Sequence, residues 1–313
     1  MPTPYEAMQA AVDVVLTSEH HKNKIASCLF TEEFFITTIN HRPQIMCDHL
    51  SPDIRIGKSS QFIHSEVACI HAFQEPTGGA SLCVTDPFCP NCAKAIVEAG
   101  IAHVYIDHKG LDKDFATRRG DEFENLSLFM MEKAGIDVSI LYRKDNKIEP
   151  LLQSKIKTRS AGASDIEFFD IANDLSLEDM MYNFRNRQPH GAWACARISE
   201  PSGKLSGILV FEALPHGITP QEFEEKKNFS EKYALTIDPV NRLCFYLKRK
   251  GLKLADMEIG VNQFPSSRAM VNAVGFGIQK LFVGENVNKP GLNRYDGAKI
   301  LEENGILEIR KLY

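Results

Sequence analysis

The sequence lacks any run of about 18 consecutive apolar residues, the length a bilayer-crossing helix needs, so no transmembrane segment is expected. Its opening, MPTPYEAMQAAVDVV, has no basic stretch leading into an apolar core and a small-residue cleavage site, and the chain therefore reads as soluble and cytoplasmic. An excess of positive charge is also missing. Lys and Arg total 36 against 41 Asp and Glu, giving a formal charge of -5, which excludes a global field that draws the protein onto nucleic acid or an anionic membrane. Local basic patches remain to be placed: RKDNK, KIKTR, NFRNR and YLKRKGLK. Cysteine is too sparse and too irregular for a disulfide scaffold, with eight in 313 residues. Most of the eight read as small buried apolar residues, Cys69 and Cys83 among them as packing beside any site.

What is present is enough apolar residue, 43%, to build two cores in a chain of this length. The pattern predicts a helix over Tyr5 to Leu16, strands over Lys24 to Phe30 and Glu33 to Ile39, and a loop from Asn40 to about Gln61. A helix near His64 to Phe73, a strand at Ser81 to Thr85, a helix from Pro90 to Glu98 and a strand at Ala102 to Ile106 follow. DEFENLSLFMMEKAG reads as an amphipathic helix stopped by Gly135, and IDVSILY as a strand. Strands alternating with helices imply an α/β layer structure. The polar, basic stretch from Arg143 to Ala163 reads as a linker.

The second half reads as a repeat of the first, the alternative being two α/β domains that share only generic strand-helix-strand patterning. At an offset of 177 positions, VTDPFCPNCAKAIVEAGIAHVYI lies over VNQFPSSRAMVNAVGFGIQKLFV, aligning Gly100 with Gly277. FMMEKAGIDV similarly matches KILEENGILEI, and WACARI with GILVFEA matches the opening strand pair. Cys89 then corresponds to Ser266 and Cys92 to Ala269, and no His-x-Glu follows the linker, so the copy has lost the residues that carry chemistry.

Those residues are two short motifs. In TDPFCPNC the pair Cys89 and Cys92 opens a helix, with Pro90 just inside it where a missing N–H is harmless. A helix start also favours the thiolate form that binds metal. Two cysteines supply at most two ligands, and a catalytic zinc takes three from the protein and leaves a position open. Upstream, FIHSEVACIHAF places His64 and Glu66 at another helix start. In an α/β sheet two neighbouring helix starts can face each other, and a three-ligand site of His64, Cys89 and Cys92 follows. His71, seven residues after His64, reads as packing, and His103 and His108 as incidental.

HSE followed by TDPFCPNCAKAI resembles the zinc-dependent cytidine and deoxycytidylate deaminase superfamily, with its H-x-E and P-C-x-x-C signature. The deoxycytidylate and tRNA-adenosine deaminase branches are the nearest in wording, over about Tyr5 to Tyr142. The resemblance implies a three-layer α/β/α fold with a mixed sheet, here duplicated. It implies zinc-containing residues 1–150 and a degenerate domain over 165–313. It further implies zinc-dependent hydrolytic deamination of a cytosine-type nucleoside or nucleotide such as dCMP or cytidine, in nucleotide metabolism, with Zn²⁺ on His64, Cys89 and Cys92. Glu66 carries protons. ITTIN matches a strand whose terminal Asn contacts the substrate sugar, which gives Asn40 that role. Two departures fall beside the substrate: Phe88 stands where proline usually precedes the first cysteine, and Ser65 replaces a common alanine. Both are therefore taken as substrate contacts. In the second half Pro265 does hold the proline position, before Ser266.

Other readings stay open at this point. CPNC at a helix start also suits a thioredoxin-like dithiol exchanger, which leaves His64 and Glu66 unexplained. A structural zinc clip in a binding module is another. Within the deaminases, a base inside RNA or DNA is the rival to a free nucleotide. The partners implied are a small-molecule nucleoside or nucleotide, no membrane, and either a homo-oligomer or an intramolecular pseudo-dimer in which the second copy completes the first.

Overall fold

A computed structural model of the chain describes residues 2–113, 120–156, 166–172, 174–187, 191–226, 234–284 and 292–312. The first half opens with α1 (Pro4–Val14), whose Thr3 and Glu6 cap each other across the first turn. Strands β1 (Ala26–Phe30) and β2 (Phe35–Ile39) form a hairpin, and the short α2 (Gln44–His49) interrupts the segment predicted as loop. Then come α3 (Ser65–Ala72), β3 (Ser81–Val84), α4 (Pro90–Glu98), β4 (His103–Asp107) and α5 (His108–Leu111). The predicted helix before Gly135 is a wider π turn at Phe123–Leu128 running into α6 (Phe129–Ala134), and Gly135 ends it at φ +75. Strands β5 (Asp137–Tyr142) and β6 (Lys147–Leu152) close the sheet.

The sheet order is β2-β1-β3-β4-β5-β6. β1 lies antiparallel to both β2 and β3, β3 to β5 run parallel, and β6 turns back antiparallel. This corrects the linker. RKDNK is the tip of the β5/β6 hairpin, with Asn146 at φ +47, and the strand that follows carries the first unit to Leu152, two residues past the expected boundary. The expected start of the second unit, residue 165, lies outside the described residues.

The second half holds β7 (Ile166–Asp170), α7 (Leu177–Arg187), β8 (Trp193–Ser199), β9 (Leu205–Phe211), α8 (Pro220–Lys226) and α9 (Pro239–Lys250). It continues with β10 (Lys253–Leu254), β11 (Glu258–Val261), α10 (Ser267–Phe276), β12 (Lys280–Val283), α11 (Leu292–Glu303) and β13 (Glu308–Lys311). Its sheet order is β13-β12-β11-β8-β9-β7. β8 is antiparallel to β9 and β11, and β11 to β13 run parallel, so β8, β9, β11, β12 and β13 repeat the topology of β1 to β5. β3 and β11 stand 177 residues apart at both ends, and Gly100 and Gly277 end equivalent helices at φ +72 and +101. The fold is thus a duplicated α/β/α sandwich.

Strand alternation assigns each sheet two faces. In the first, Leu82 and Val84 point to one side and Cys83 to the other, where it packs with Cys28 against Met8 and Ala11 of α1. In the second, Trp193, Cys195 and Phe282 pack against Met180 and Phe184 of α7. The opposite faces of both sheets contribute to one continuous core, in which α3, α4 and α6 meet α9, α10 and α11. The layers therefore run α1, sheet, two ranks of helices, sheet, α7.

Candidate metal centre

The two ligand motifs sit where the parallel strands deliver their helices. His64 is the N-cap of α3 and Cys89 the N-cap of α4, both extended (ψ 148 and 165) before the first helical residue. Pro90 at the first helical position sets φ for α4, and Gly100 stops it. His64 Nδ1 lies 3.2 Å from Cys92 Sγ and 3.5 Å from Cys89 Sγ, and the sulfurs are 3.6 Å apart. This is the group among the described residues whose ligand atoms could hold a metal ion, all within 4.8 Å of one another. Zn–N and Zn–S lengths of about 2.0 and 2.3 Å in a tetrahedron imply N–S edges of about 3.5 Å and S–S edges of about 3.8 Å, so the triangle needs to widen by only a few tenths of an ångström to hold zinc, with a fourth direction left over. Two sulfurs and an imidazole are also the donor types zinc takes.

Glu66, in the first turn of α3, is 2% exposed. Burial raises its pKa; the neighbouring His64 imidazole works against the rise and Cys89 adds to it. Its carboxyl accepts from Ser65 Oγ at 3.3 Å, and Ser65 Oγ in turn lies 2.7 Å from Ser27 Oγ on β1. The thiols split in character. A hydrogen bond with Cys92 holds the Cys89 thiol well below its usual range, while burial beside that sulfur raises Cys92. Cys89 is thus the thiol of the pair that ionises more readily.

The expected substrate contacts Ser65, Phe88 and Asn40 are all buried. Ser65 is fully buried, and its Oγ donates to the Glu66 carboxylate. Phe88 is 1% exposed, its ring edge-on to Phe123 at 5.4 Å, which makes it part of the core. Asn40 ties the hairpin end to the preceding loop: its Oδ1 accepts from Ser18 Oγ (2.7 Å) and the Ile25 N–H (2.9 Å), and its Nδ2 donates to Asn23 O. Cys69 donates to Ser27 O, and Cys83 lies on the far face of the sheet, not beside the site. Sequence reading missed His20, whose ring packs edge-on against Phe62 at 4.6 Å and whose pKa is lowered first by burial, then by His21 and His64. The run HHKN at residues 20–23 signals a polar loop only, so nothing local ties it to His64.

In the second half the equivalent helix starts carry Asp238 and Ser266. Asp238 accepts from the N–H groups of Val240 (3.1 Å) and Ser266 (2.7 Å), and Ser266 caps α10 through the Ala269 N–H. Val240 stands two after Asp238, as Glu66 stands two after His64.

A mixed sheet that brings two uncapped helix starts to one His-Cys-Cys triangle defines an α/β protein with a candidate metal site. The family description "Cytidine and deoxycytidylate deaminase zinc-binding region" matches residues 1–108. A protein of Aliivibrio fischeri, described as an uncharacterized deaminase in the luxG 3' region, is 31% identical over 102 residues, spanning 33% of this chain and 67% of that one. The chain belongs to the cytidine and deoxycytidylate deaminase family. Among solved structures, dCMP deaminase from the cyanophage S-TIM5 with dCMP and dUMP is 19% identical, covering 43% of this chain and 93% of its own, at a TM-score of 0.33. A structure from work on A-to-I editing by tRNA A34 deaminases is 24% identical over 32% and 70%, at 0.21.

Proposed function

We propose that the protein hydrolytically deaminates a cytosine-type nucleoside or nucleotide, releasing ammonia, with zinc held by His64, Cys89 and Cys92. The observation that carries this reading is the buried Glu66 carboxyl beside three convergent ligand atoms. Bound zinc would supply the Lewis acidity that brings the pKa of a water molecule toward neutrality. Glu66 would take a proton from the attacking water, place it on the ring nitrogen, and pass a second to the departing ammonia. Its raised pKa suits a group that must hold a proton as well as release one. Ser65 and Ser27 would orient the carboxylate. Asn40 would offer a sugar hydroxyl its remaining Nδ2 hydrogen, since its other bonds are already taken.

Residues 1–150 form the zinc-bearing unit on this reading, and 165–313 a unit without ligands that acts as an internal pseudo-partner. A polymeric substrate gains little support from the basic clusters. Arg143 pairs with Asp107, Lys147 with Glu149, and Lys248 donates to Phe73 O inside the interface between the halves. KIKTR lies mostly, and the arginine side chains of NFRNR wholly, outside the described residues. The test is an ammonia-release screen of zinc-loaded protein on cytidine, deoxycytidine, their monophosphates, adenosine, guanine and single-stranded oligonucleotides. Turnover of a free cytosine compound supports the proposal. Turnover confined to oligonucleotides, falling steeply with salt, replaces the small substrate with a polymer, and zinc-loaded protein inert on all of them contradicts deamination.

A further inference from the structure

The second half touches both ligand-bearing helices of the first, α3 near both ends and α4 at its middle and its C-terminus. At α3, Lys248 Nζ donates to Phe73 O just past its C-terminus (2.9 Å), and Arg268 Nη1 donates to Phe62 O two residues before His64 (2.6 Å). At α4, Lys94 Nζ donates to the carbonyls of Ala234 and Thr236 (2.8 and 3.2 Å), and Glu98 pairs with Arg242 at 3.2 Å, both side chains under 10% exposed. These contacts differ in what they could move. Lys248 and Arg242 act a full helix length from the ligands, whereas Arg268 acts on the extended segment that hands the chain to His64. That segment is held from one side by the paired bonds of His41 with Ile63 (2.8 and 3.2 Å). Arg268 holds it from the other, adding a weaker bond to Ser60 Oγ at 3.3 Å. Gly275, on the same helix as Arg268, leaves room for Ile63: a Cβ there would stand 1.8 Å from Ile63 Cδ1. Helix α10 therefore touches Ser60, Phe62 and Ile63 in succession, ending one residue short of the imidazole.

We propose that Arg268, from the half without ligands, is a positioning residue that sets the His64 imidazole against Cys89 and Cys92. The inert copy is then a working part of the metal centre. An extended segment pinned on one side by two backbone bonds can pivot about them, and the guanidinium bond on the other side removes that freedom. Groups that orient metal ligands typically change metal affinity by about 10–100-fold when removed. The proposal rests on the reading of His64 as a ligand.

The test uses the full, zinc-loaded chain and the variants Arg268→Met, which keeps the length and apolar stem, and Arg268→Lys, which keeps a donor. Arg268→Met is expected to release zinc to a chelator about 10–100 times faster than wild type, and Arg268→Lys to recover part of that loss. Replacing zinc by cobalt gives a second readout: the sulfur-to-cobalt absorption band should shift in Arg268→Met and return toward the wild-type position in Arg268→Lys. On any substrate turned over, kcat should fall while KM stays close to wild type, because the metal arm is disturbed and not the binding surface. Zinc release and cobalt spectrum identical to wild type in folded Arg268→Met would overturn the proposal, whatever its melting temperature. Should Arg268→Met fail to fold, Gly275→Ala disturbs the same arm through Ile63, and zinc release unchanged from wild type in that variant overturns it equally. A wild-type chain that holds no metal sinks the zinc reading itself, a result distinct from wild type holding metal and Arg268→Met matching it.

Discussion

The two halves solve the same local problem in opposite ways. Each brings two helix N-termini together at the end of its parallel strands. In the second half both ends are capped by side chains, Asp238 on α9 and Ser266 on α10, and Asp238 reaches across to the Ser266 N–H as well. In the first half neither His64 nor Cys89 makes a side-chain cap, and their polar atoms face each other instead. A good cap contributes about 0.5–2 kcal/mol. The first site thus gives up stability of that order at each helix start to leave donor atoms free, and the second recovers it by giving up the donors. The uncapped N–H dipoles also favour the thiolate charge that a cation needs. Loss of the motif in the second copy is therefore a structural gain as well as a chemical loss.

The comparison breaks hardest at Glu66. Glu66→Gln keeps the size and the neighbours but cannot cycle a proton, so ammonia release should fall by about 10²–10⁴-fold with zinc retained. Zinc-loaded Glu66→Gln with wild-type turnover would remove the carboxyl from the reaction.

The next effect concerns the seam. Arg242→Met leaves Glu98 buried without its charge partner, and unfolding in denaturant should show a loss of about 3–5 kcal/mol. A loss below about 1 kcal/mol would mean that the Glu98–Arg242 pair contributes little to joining the halves.

Exchanging the capping patterns tests the trade directly. The double variant His64→Asp with Cys89→Ser copies the second half into the first and should bind no metal. Its stability should exceed that of metal-free wild type by about 1–2 kcal/mol. Asp238→Ala should lose about 1–3 kcal/mol, since it strands two N–H groups. Equal stability of the double variant and metal-free wild type would show that capping is not what separates the two sites.

Near pH 6.5 the smallest effect is acid sensitivity at His71. Its ring stacks on Phe245 at 5.7 Å and meets Phe276 edge-on at 5.3 Å, both from the second half, and neither ring nitrogen has a hydrogen-bond partner. Burial, helped by the Lys248 ammonium, pushes its pKa down to about 3. The folded state therefore binds the proton less readily than the unfolded chain. The stability His71 contributes is complete above the unfolded value of 6.5 and is lost as pH falls from there toward 3, at about 1.4 kcal/mol per pH unit. His71→Leu should flatten that part of the stability profile, and an unchanged slope would place the proton elsewhere.

Much of the candidate site was legible because its signals are local. CPNC carries its own helix start in Pro90 and its own stop in Gly100, and HSE opens a helix in the same way. The repeat was legible where strand and helix lengths are conserved between the halves, from β3 to β12. The seam and the second helix start were not. Asp238, Pro239 and Val240 share no letter with His64, Ser65 and Glu66 and stand 174 rather than 177 residues away, so only topology pairs them. The β5/β6 hairpin hid behind charge and Pro150: RKDNK reads as solvated linker, and proline in a strand fits only an edge, which is where β6 lies. Arg268 was silent because a single arginine gives no sign that its partner stands 206 residues earlier.

On the proposed function, one half holds a metal where the other has helix caps. Zinc content per chain, measured with X-ray absorption at the zinc edge, tests it most directly. One zinc per chain is expected, bound by two sulfurs and one nitrogen from the protein, and none in Cys89→Ser with Cys92→Ser. Two zincs per chain, or zinc retained by that double variant, would contradict it.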